Sequence, residues 1–407
     1  MSQAAPASEQ GRHQNMAVAF QDKFQAAPTV WARAPGRVDL MGSHTDYNLG
    51  CILTLPIDRD VWIAARPRAD RTVRLQSLNL DAASEFALDS IIRDAEQPWS
   101  NYVRGVAAVL QAEGCALRGF DGVIHGTVPI GSGLSSSAAL ECVTATVFES
   151  LGGWRLDPVR KALLCQRAEN QFVGVNCGIL DQYTSCVGRA GCALLLDCLD
   201  LSSRPVALPS DICVVICDTR SKRELAGSEY GLRRAQCEDG ARRLGVKALR
   251  EVTLAQFQQQ EAELAEVVAR RCRFILEEHA RVMQLADALA AGDRAAIGQL
   301  TADSFRGACA LYEIGAPAMD AMIAAMRSGP GVVGARQAGA GFGGCLVAFV
   351  AQEQAVAFAA VVRDHYLAAT GVSPDIYPVQ AAAGAGPLDA CHWLSQCAGL
   401  LGDTVHP

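Results

Sequence analysis

The chain has 407 residues, of which 50% are hydrophobic and 19% are charged, and its formal net charge is −7. A chain of this length and composition forms globular structure and can hold two domains with substantial cores. The negative charge and the absence of lysine- or arginine-rich runs argue against nucleic-acid binding, and no apolar run reaches the length of a membrane span.

The sixteen cysteines are dispersed, and most lie within apolar runs without any Cys-x-x-Cys spacing. This pattern predicts buried free thiols in a reducing compartment rather than disulfide bonds. Residues 1–15 are polar and lack the apolar core of a signal peptide. We therefore expect a cytoplasmic protein in which residues 1–15 form a disordered tail.

In the N-terminal half, apolar periodicity predicts a mixture of helices and strands. The predicted elements are a helix over 18–24, strands over 31–41 and 51–57, short strands from 61 to about 94, a helix over 99–111, a strand over 119–125, a helix from 138 and a helix over 158–171. Between the first two long strands lies a polar segment, 42–50 (GSHTDYNLG). Together with Arg37, it carries more polar groups than a turn needs, so we expect a binding loop, with a plain turn as the alternative.

The segment from Val128 to Leu140 (VPIGSGLSSSAAL) has the pattern of an anion site. Gly131 and Gly133 allow the backbone to approach an anion closely, and the serines that follow can cap a helix. A glycine-serine turn that runs into a helix N-terminus binds phosphate through unpaired N–H groups and the helix dipole. The pattern is not a Walker A motif, since no Gly-Lys-Ser/Thr follows the glycines. An ordinary capped helix would look similar, so the neighbouring motifs have to decide.

Two carboxylates follow this segment, Glu169 late on a predicted helix and Asp181 just after a Cys177-Gly178 turn. Most acidic side chains are solvated at the surface. Asp181, however, has apolar neighbours on both sides, which predicts a partly buried position. A carboxylate in such a position must be paired or functional.

A strand over 192–197 and a Ser/Pro-containing link over 199–210 predict a domain boundary near residue 205, which gives domains 16–205 and 206–407. The later predicted elements are a strand over 212–217 and helices around 228–239, 254–269, 274–291 and 316–326. The segment 331–350 is glycine-rich between two strands and opens no helix of a βαβ unit, which excludes a dinucleotide-binding fingerprint. It can form a tight hairpin or a backbone that lines a ligand.

Together, the motifs resemble the GHMP small-molecule kinases, and within them the galactokinases, over nearly the whole chain. The matching segments, in the family's order, are 35–48 (PGRVDLMGSHTDYN), 129–139 (PIGSGLSSSAA), 177–182 (CGILDQ), 227–237 (GSEYGLRRAQC) and 334–345 (GARQAGAGFGGC). The resemblance implies an α+β, two-domain GHMP kinase fold. Its N-terminal domain would be of the ribosomal protein S5 domain 2 type and its C-terminal domain ferredoxin-like, with the active site between them.

The resemblance also implies a role for individual residues. Asp181 would be the catalytic carboxylate, and Arg37 its partner beside the transferred phosphoryl group. The implied ATP-binding loop consists of Gly131, Ser132, Gly133, Leu134, Ser135, Ser136 and Ser137. The implied sugar contacts are Ser43, His44, Asp46, Gly178 and Tyr230. Mg²⁺ would be bound by Ser137 and Glu169, where it would bridge phosphate oxygens.

The expected activity is therefore the ATP- and Mg²⁺-dependent phosphorylation of the anomeric hydroxyl of D-galactose, by a monomer or weak homo-oligomer without nucleic-acid or membrane partners. A sensor that binds sugar and ATP without catalysis is disfavoured, because the Ser137-Ala138 dipeptide, Asp181 and Glu169 are all present. N-acetylgalactosamine kinases have no positive support in the sequence.

The chain departs from the family at two places. Ser43 replaces the glutamate that contacts the 6-hydroxyl of the sugar in galactokinases, which leaves D-galacturonate and L-arabinose open as substrates. Serine removes the repulsion of a 6-carboxylate, and arabinose has no sixth carbon to contact. In the third motif, Gln337, Ala338 and Ala340 replace the usual Met, Thr and Gly, which could alter the nucleotide or sugar geometry there.

Overall fold

The computed structural model describes residues 9–221 and 226–388. The helices are α1 (Glu9–Phe24), α2 (Asn101–Ala112), α3 (Ser136–Gly152), α4 (Pro158–Arg167), α5 (Leu180–Val187), α6 (Ala226–Arg243), α7 (Leu254–Gln260), α8 (Glu266–Ala291), α9 (Arg294–Ala310), α10 (Pro317–Ser328) and α11 (Ala355–Thr370). The strands are β1 (Val30–Met41), β2 (Cys51–Pro67), β3 (Thr72–Ser77), β4 (Ala82–Ala87), β5 (Phe120–Gly126), β6 (Cys192–Asp197), β7 (Ser203–Ala207), β8 (Ile212–Asp218), β9 (Val332–Gln337), β10 (Cys345–Ala351), β11 (Asp375–Val379) and β12 (Gly386–Pro387).

The N-terminal domain is built on a sheet with the order β12-β1-β2-β5-β3-β4, in which β6 pairs with β2 and β7 with β6. The long strand β2 organises this sheet, since its first residues pair with β6 and its last residues with β5, while β1 runs along its other edge. The register of β1 against β2 shifts between Pro35 and Arg37 and again between Asp39 and Met41. Such irregularities turn a strand and re-aim its side chains, and here they lie next to the polar loop 42–50.

Helix α3 is the central helix of this domain. It packs against β1 and β2 and also touches α2, α4 and α5. Twelve of its seventeen residues are buried, as expected for a helix that is apolar on most of its surface. This burial fixes the N-terminus of α3, where the serine-rich segment lies.

Helix α1 begins at Glu9, whereas the sequence predicted a disordered tail up to residue 15. Met16 and Phe20 pack on the tryptophans of β1 and β2. Arg12 is buried and forms an ion pair with Asp60 at 2.5 Å. This buried ion pair accounts for the earlier start of the helix. No local sequence pattern predicts it, because the two residues are far apart in the chain. Residues 1–8 of the predicted tail lie outside the described residues.

The C-terminal domain contains a four-stranded antiparallel sheet in the order β11-β8-β10-β9. This is the strand order of a ferredoxin-like fold, which confirms the expected domain type. One face of the sheet is covered by α10 and α11. On the other face, Val214, Val347 and Phe349 belong to the same buried cluster as Leu53 and Val143 of the N-terminal domain. The core is therefore continuous between the domains.

The strand pairings modify the predicted domain boundary near residue 205. Strand β7 contains that position and still pairs with β6 in the first sheet. After β11 the chain also returns to the first sheet, where Gly386 and Pro387 pair with β1. Composition could not predict this return, because the pairing joins residues 386–387 to β1, which lies near the other end of the sequence.

Several helices in the C-terminal half differ from their predicted bounds. The predicted helix over 254–269 ends as α7 at Gln260, and α8 begins at Glu266 and continues to Ala291. Helix α9 was not predicted. The Gly292-Asp293 pair before it is a local signal for the end of one helix and the start of the next. In the structure Gly292 has φ of +67°, and the Asp293 side chain accepts a hydrogen bond from the N–H of Ala296.

All fourteen cysteines in the described part of the chain are free thiols, and none of them is exposed. This confirms the predicted absence of disulfides for that part. Within the described ranges, no helix combines the length and the apolarity that crossing a bilayer requires.

Candidate active site

Arg37 and Asp181 are brought together from opposite ends of the N-terminal domain sequence. Arg37 follows the first irregularity of β1, and Asp181 lies in the first turn of α5. The guanidinium donates to Asp181 Oδ1 from Nε at 2.9 Å and from Nη2 at 2.5 Å. Arg37 Nη1 also donates to the carbonyl of Gly133 at 2.7 Å, so the same side chain holds the glycine-serine loop. The predicted catalytic pair is therefore in direct contact with the predicted phosphate loop.

The loop before α3 leaves the helix N-terminus open. Gly131 and Gly133 have φ of +78° and +85°, and Ser135 at the N-cap has φ of +63°, an unusual value for a residue with a side chain. The sequence suggested that serines cap this helix, but Ser135 makes no capping hydrogen bond. Its Oγ instead donates to Asp181 Oδ2 at 2.5 Å. The first N–H groups of α3 thus remain without the Ser135 cap, as an anion site requires.

A cavity of about 490 Å³ opens beside this loop. Its walls combine apolar and aromatic side chains, including Trp99, Tyr102 and Ile130, with polar and charged ones, including Ser136, Ser137, Arg37 and Asp181. A nucleotide combines a flat aromatic base with a charged phosphate chain, and the lining offers groups suited to each part.

Two buried carboxylates lie behind the loop. Gln182 Nε2 donates to Glu169 Oε2 at 2.6 Å and to Glu141 Oε2 at 2.9 Å, and Cys177 Sγ also donates to Glu169. Burial raises the pKa of both carboxyls, and the neighbouring negative charges of Glu169 and Asp181 contribute to it. No described lysine or arginine forms an ion pair with either carboxylate. Sequence reasoning selected Glu169 and missed Glu141, because a glutamate within an apolar helix has no local pattern that marks it.

This excess of negative charge fits a cation. Ser137 hydrogen-bonds to Glu169, so the two residues predicted to bind Mg²⁺ are neighbours, and Oε1 of Glu141 is buried without a partner. Hydroxyl and carboxylate oxygens are ligands that Mg²⁺ accepts. In the part of the chain that the structure describes, no three histidine, cysteine or acidic side chains form a metal cluster.

His44 links the polar loop to the C-terminal domain. Its Nε2 lies 2.9 Å from the carbonyl of Ala340 and its Nδ1 2.9 Å from the hydroxyl of Tyr47. Burial lowers the pKa of His44 to about 4, so the ring is neutral at pH 7. Because a carbonyl only accepts, Nε2 carries the hydrogen and Tyr47 donates to Nδ1. Tyr312 then donates to Tyr47 at 2.7 Å, and the Cys237 thiol completes the chain at 3.2 Å from Tyr312.

Both ring nitrogens of His44 lie within hydrogen-bond distance of protein groups, which leaves neither of them open to a sugar. The sugar contact of His44 that the resemblance implies therefore stays a prediction. The ring of Tyr230 lies 5.2 Å from that of His44, with an angle of 35° between the two ring planes. Sequence reasoning missed Tyr312, which no motif contains, and gave no role to Cys237, which ends the matching segment 227–237.

Asp46 and Gly178 meet closely. A Cβ on Gly178 would lie 2.6 Å from Asp46 Oδ2, so a side chain at this position would displace the Asp46 carboxylate. Burial raises the pKa of Asp46 to about 6, a hydrogen bond from the Tyr47 backbone opposes this, and the charge of Asp39 adds to it. Burial and the charge of Asp46 also raise the pKa of Tyr230. The predicted sugar-contacting residues are therefore mutual neighbours.

Ser43 is buried and points to a residue that sequence reasoning missed. Its Oγ donates to Asp39 Oδ2 at 2.5 Å. Asp39 is only 2% exposed, and its second oxygen, Oδ1, has no hydrogen-bond partner. An aspartate four residues earlier on a strand gave no signal by itself.

The third motif forms the connection between the antiparallel strands β9 and β10, which spans seven residues, 338–344, and is longer than the predicted tight hairpin. Ala340 is not among the described residues with positive φ, so alanine causes no backbone strain there. Its carbonyl accepts the hydrogen bond from His44 Nε2. The N–H of Ala338 donates to the carbonyl of Cys345. Gln337 is fully buried, and neither its amide nitrogen nor its amide oxygen has a partner. By strand alternation it shares a sheet face with Ala335, which packs against α10 and α11.

We expect Gln337→Met to raise the free energy of unfolding by about 1–3 kcal/mol, because it removes an unsatisfied buried amide without changing the volume much. Chemical denaturation would measure the change, with Gln352→Met on the exposed segment after β10 as the control. A lower free energy of unfolding for Gln337→Met would contradict the assignment of an unpaired amide.

Comparison with known proteins agrees with this geometry. The family model of the GHMP kinases N terminal domain matches residues 101–189, that of the galactokinase galactose-binding signature matches 18–67, and that of the GHMP kinases C terminal matches 285–367. The crystal structure of Lactococcus lactis galactokinase complexed with galactose is similar at 31% identity, covering 93% of this chain and 100% of that chain with a TM-score of 0.87.

More distant structures share the fold alone. The mevalonate kinase of Methanococcus jannaschii is 17% identical, with a TM-score of 0.61 over 88% of this chain and 99% of that one. The D-glycero-D-manno-heptose 1-phosphate kinase of Bacteroides thetaiotaomicron is 14% identical, with a TM-score of 0.60 over 89% and 99%. From the three family models and the Lactococcus similarity, the chain belongs to the galactokinase family of the GHMP kinases and is a sugar kinase.

Proposed function

We propose that this sugar kinase transfers the γ-phosphoryl group of ATP to the anomeric hydroxyl of D-galactose, giving galactose 1-phosphate and ADP. The observation that carries the proposal is the position of Asp181. Its carboxylate is held by Arg37 in the wall of the nucleotide-sized cavity, and it lies close enough to Asp46 to act on the pKa of that residue electrostatically. Asp46 belongs to the matched galactose-binding signature.

In the proposed reaction, Asp181 accepts the proton of the anomeric hydroxyl as the sugar oxygen forms its bond to phosphorus. The oxygen between the β- and γ-phosphorus leaves with ADP, and Asp181 later returns the proton to water. Arg37 fixes Oδ1 of Asp181, so the carboxylate keeps one orientation towards the hydroxyl. The guanidinium also places positive charge beside the transferred group, where negative charge is redistributed.

The phosphate chain would lie on the loop from Gly131 to Ser137. Backbone N–H groups at the N-terminus of α3 would donate to the phosphate oxygens. Arg37 holds the loop in place by donating a hydrogen bond to the carbonyl of Gly133. Ser137 and Glu169 would hold Mg²⁺, which when bound neutralises phosphate charge. All these residues come from one chain, so we propose that a single copy is sufficient for activity.

The sugar would be held by Asp46, with Gly178 leaving room for it and Tyr230 as an aromatic wall. An ionised carboxylate accepts hydrogen bonds from sugar hydroxyls at both oxygens, whereas protonation turns one oxygen into a donor and removes the charge that strengthens these bonds. Asp46 has a raised pKa, so it becomes protonated as the pH falls below about 6.

We therefore expect kcat/KM for the sugar to fall by about tenfold between pH 7 and pH 5, mainly through a higher KM for the sugar. The Asp46→Asn variant should have a lower kcat/KM at pH 7 and lose most of this pH dependence. Steady-state kinetics across this pH range would measure both. A profile of the same shape in wild type and variant would contradict the role of Asp46.

The test of the proposed function is ADP release by the purified protein with ATP and Mg²⁺, in the presence of D-galactose, D-galacturonate, L-arabinose or N-acetylgalactosamine. We expect the highest kcat/KM with galactose. Sugar binding without any turnover would instead favour a non-catalytic sensor, and turnover restricted to another sugar would replace galactose as the substrate.

A further inference from the structure

The two oxygens of the Asp181 carboxylate have different partners. Both Arg37 donors, Nε and Nη2, contact Oδ1, at 2.9 and 2.5 Å. Among the described residues, the only hydrogen-bond donor to Oδ2 is the hydroxyl of Ser135, at 2.5 Å. Oδ1 thus accepts two hydrogen bonds from a guanidinium, whereas Oδ2 accepts one and keeps a lone pair for a further donor. Oδ2 is therefore the oxygen that can still accept from a sugar hydroxyl, and Ser135 helps to determine where it lies.

Ser135 is itself held by backbone hydrogen bonds on both sides. The carbonyl of Leu134 accepts from the N–H of Arg37 at 3.1 Å, and the carbonyl of Ser135 accepts from the N–H of Ala139 at 3.1 Å. The residue is only 8% exposed. Its φ of +63° lies in the left-handed region, which is unfavourable for a residue with a Cβ. Such a conformation persists where the surroundings impose it, and at functional sites it can aim a side chain.

The hydrogen bond to Asp181 excludes two other uses of the Ser135 hydroxyl. A serine hydroxyl has a single hydrogen, and that of Ser135 is donated to Oδ2. Charged phosphate oxygens only accept hydrogen bonds, so Ser135 could donate to a phosphate of ATP only by releasing Asp181. The hydroxyl does not cap α3 either. The backbone of Ser135 belongs to the predicted ATP-binding loop, whereas its side chain contacts the carboxylate.

We propose that Ser135 is a positioning residue for phosphoryl transfer, whose hydroxyl holds Oδ2 of Asp181 towards the anomeric hydroxyl of the sugar. This inference rests on the proposed function, in which Asp181 accepts the proton of that hydroxyl. Ser135 acts through Asp181 and exchanges no proton with the substrate. Arg37, which holds Oδ1, also donates to the carbonyl of Gly133. Both oxygens are thus connected to the loop on which the phosphate chain would lie, which fixes the carboxylate relative to the phosphate.

The test measures kcat, KM for ATP and KM for galactose in wild type, Ser135→Ala and Ser135→Gly. Both variants lack the hydroxyl, and glycine also removes the strain of the positive φ. We expect kcat to fall by about 10–100-fold in both, the loss typical of a hydrogen bond to a charged group. Both KM values should stay within about threefold of wild type, because the lost contact acts on the transfer step. A kcat restored by Ser135→Gly would overturn the proposal, since the backbone and not the hydroxyl would then determine the rate.

Ser150→Ala is the matched control. This exposed serine lies near the other end of α3, where its hydroxyl donates to the carbonyl of Thr146. The substitution should leave kcat within about twofold of wild type, as expected for a surface change away from the site.

A double-mutant cycle with Asp181→Asn separates positioning from an independent effect of Ser135. In the Asp181→Asn background, Ser135→Ala should lower kcat by less than about twofold, because no base is left to position. An undiminished effect in that background would overturn the proposal. So would an unchanged kcat with a higher KM for ATP in Ser135→Ala, which would indicate a phosphate contact instead. Failure of the proposed function gives a different result, since Asp181→Asn alone would then keep most of its kcat or wild type would phosphorylate no sugar.

Discussion

Replacing Asp181 by asparagine is expected to lower kcat for the sugar by about 10²–10⁴-fold, the range typical of a lost general base. Asparagine preserves the size of the side chain and can still accept hydrogen bonds from Arg37, so the fold should be retained. The amide cannot take a proton, so the transfer step becomes slower. The affinity for ATP should change little, because the substitution leaves the ATP-binding loop in place. Stopped-flow or steady-state kinetics, with ATP binding measured separately, would show this separation.

Asp211→Asn is a suitable control for this experiment, since Asp211 lies on the surface and pairs with Arg294. It should leave kcat within about twofold of wild type, as expected for an exposed ion pair. If Asp181→Asn retained more than a tenth of the wild-type kcat, Asp181 would be only an orienting group.

Replacing Glu278 by glutamine is expected to destabilise the protein by about 3–5 kcal/mol. Glu278 and Arg336 are both fully buried, with 3.0 Å between Oε1 and Nη2. Arg281 pairs with the same carboxylate at 2.8 Å. Arg336 also donates to the carbonyl of Leu40 on β1, so the pair ties the C-terminal domain to the strand that carries Arg37 and Asp39. The glutamine would leave Arg336 without the ion pair that compensates its buried charge, whereas Arg281 keeps its contact with Glu277.

The same residue makes stability depend on pH. Burial raises the pKa of Glu278, but Arg336 and Arg281 outweigh it, so the folded pKa is lowered. An acid with a lowered folded pKa stabilises the protein above its unfolded pKa, near 4.5, and this contribution is lost as the pH falls towards the folded pKa. The stability difference between wild type and Glu278→Gln should therefore shrink below about pH 4.5.

Urea unfolding at pH 7 and pH 4 would measure both effects. Glu277→Gln is the matched control, because the adjacent Glu277 is partly exposed and its ion pairs are longer, at 3.3 and 3.9 Å. Its effect should stay within about 1 kcal/mol. An equal effect of the two variants would contradict a special role of the buried pair.

The sequence was sufficient for features that depend on local pattern. The strand over 192–197 was predicted with its observed bounds, because a short apolar run between turn residues has few alternatives. The motif residues also lie together as expected, with Arg37 on Asp181 and Ser137 beside Glu169. Motifs select such residues because their chemistry constrains both residue type and order.

What the sequence could not provide depends on contacts between distant segments. Ser135 is a good capping residue, yet its hydroxyl is used by Asp181, which follows 46 positions later. Arg12 orders the N-terminal helix only because Asp60 is buried opposite it. The link between Ser43 and Asp39 is short in sequence, but only the irregular strand geometry brings their side chains together.

The most direct measurement is phosphorus and proton NMR of the product formed from D-galactose, ATP and Mg²⁺. Phosphoryl transfer to the anomeric hydroxyl predicts a new phosphomonoester whose phosphorus couples to the anomeric proton, formed in equal amount to ADP. Phosphate on any other hydroxyl, or ADP formed without a sugar phosphate, would contradict the arrangement in which Asp181 activates the anomeric hydroxyl.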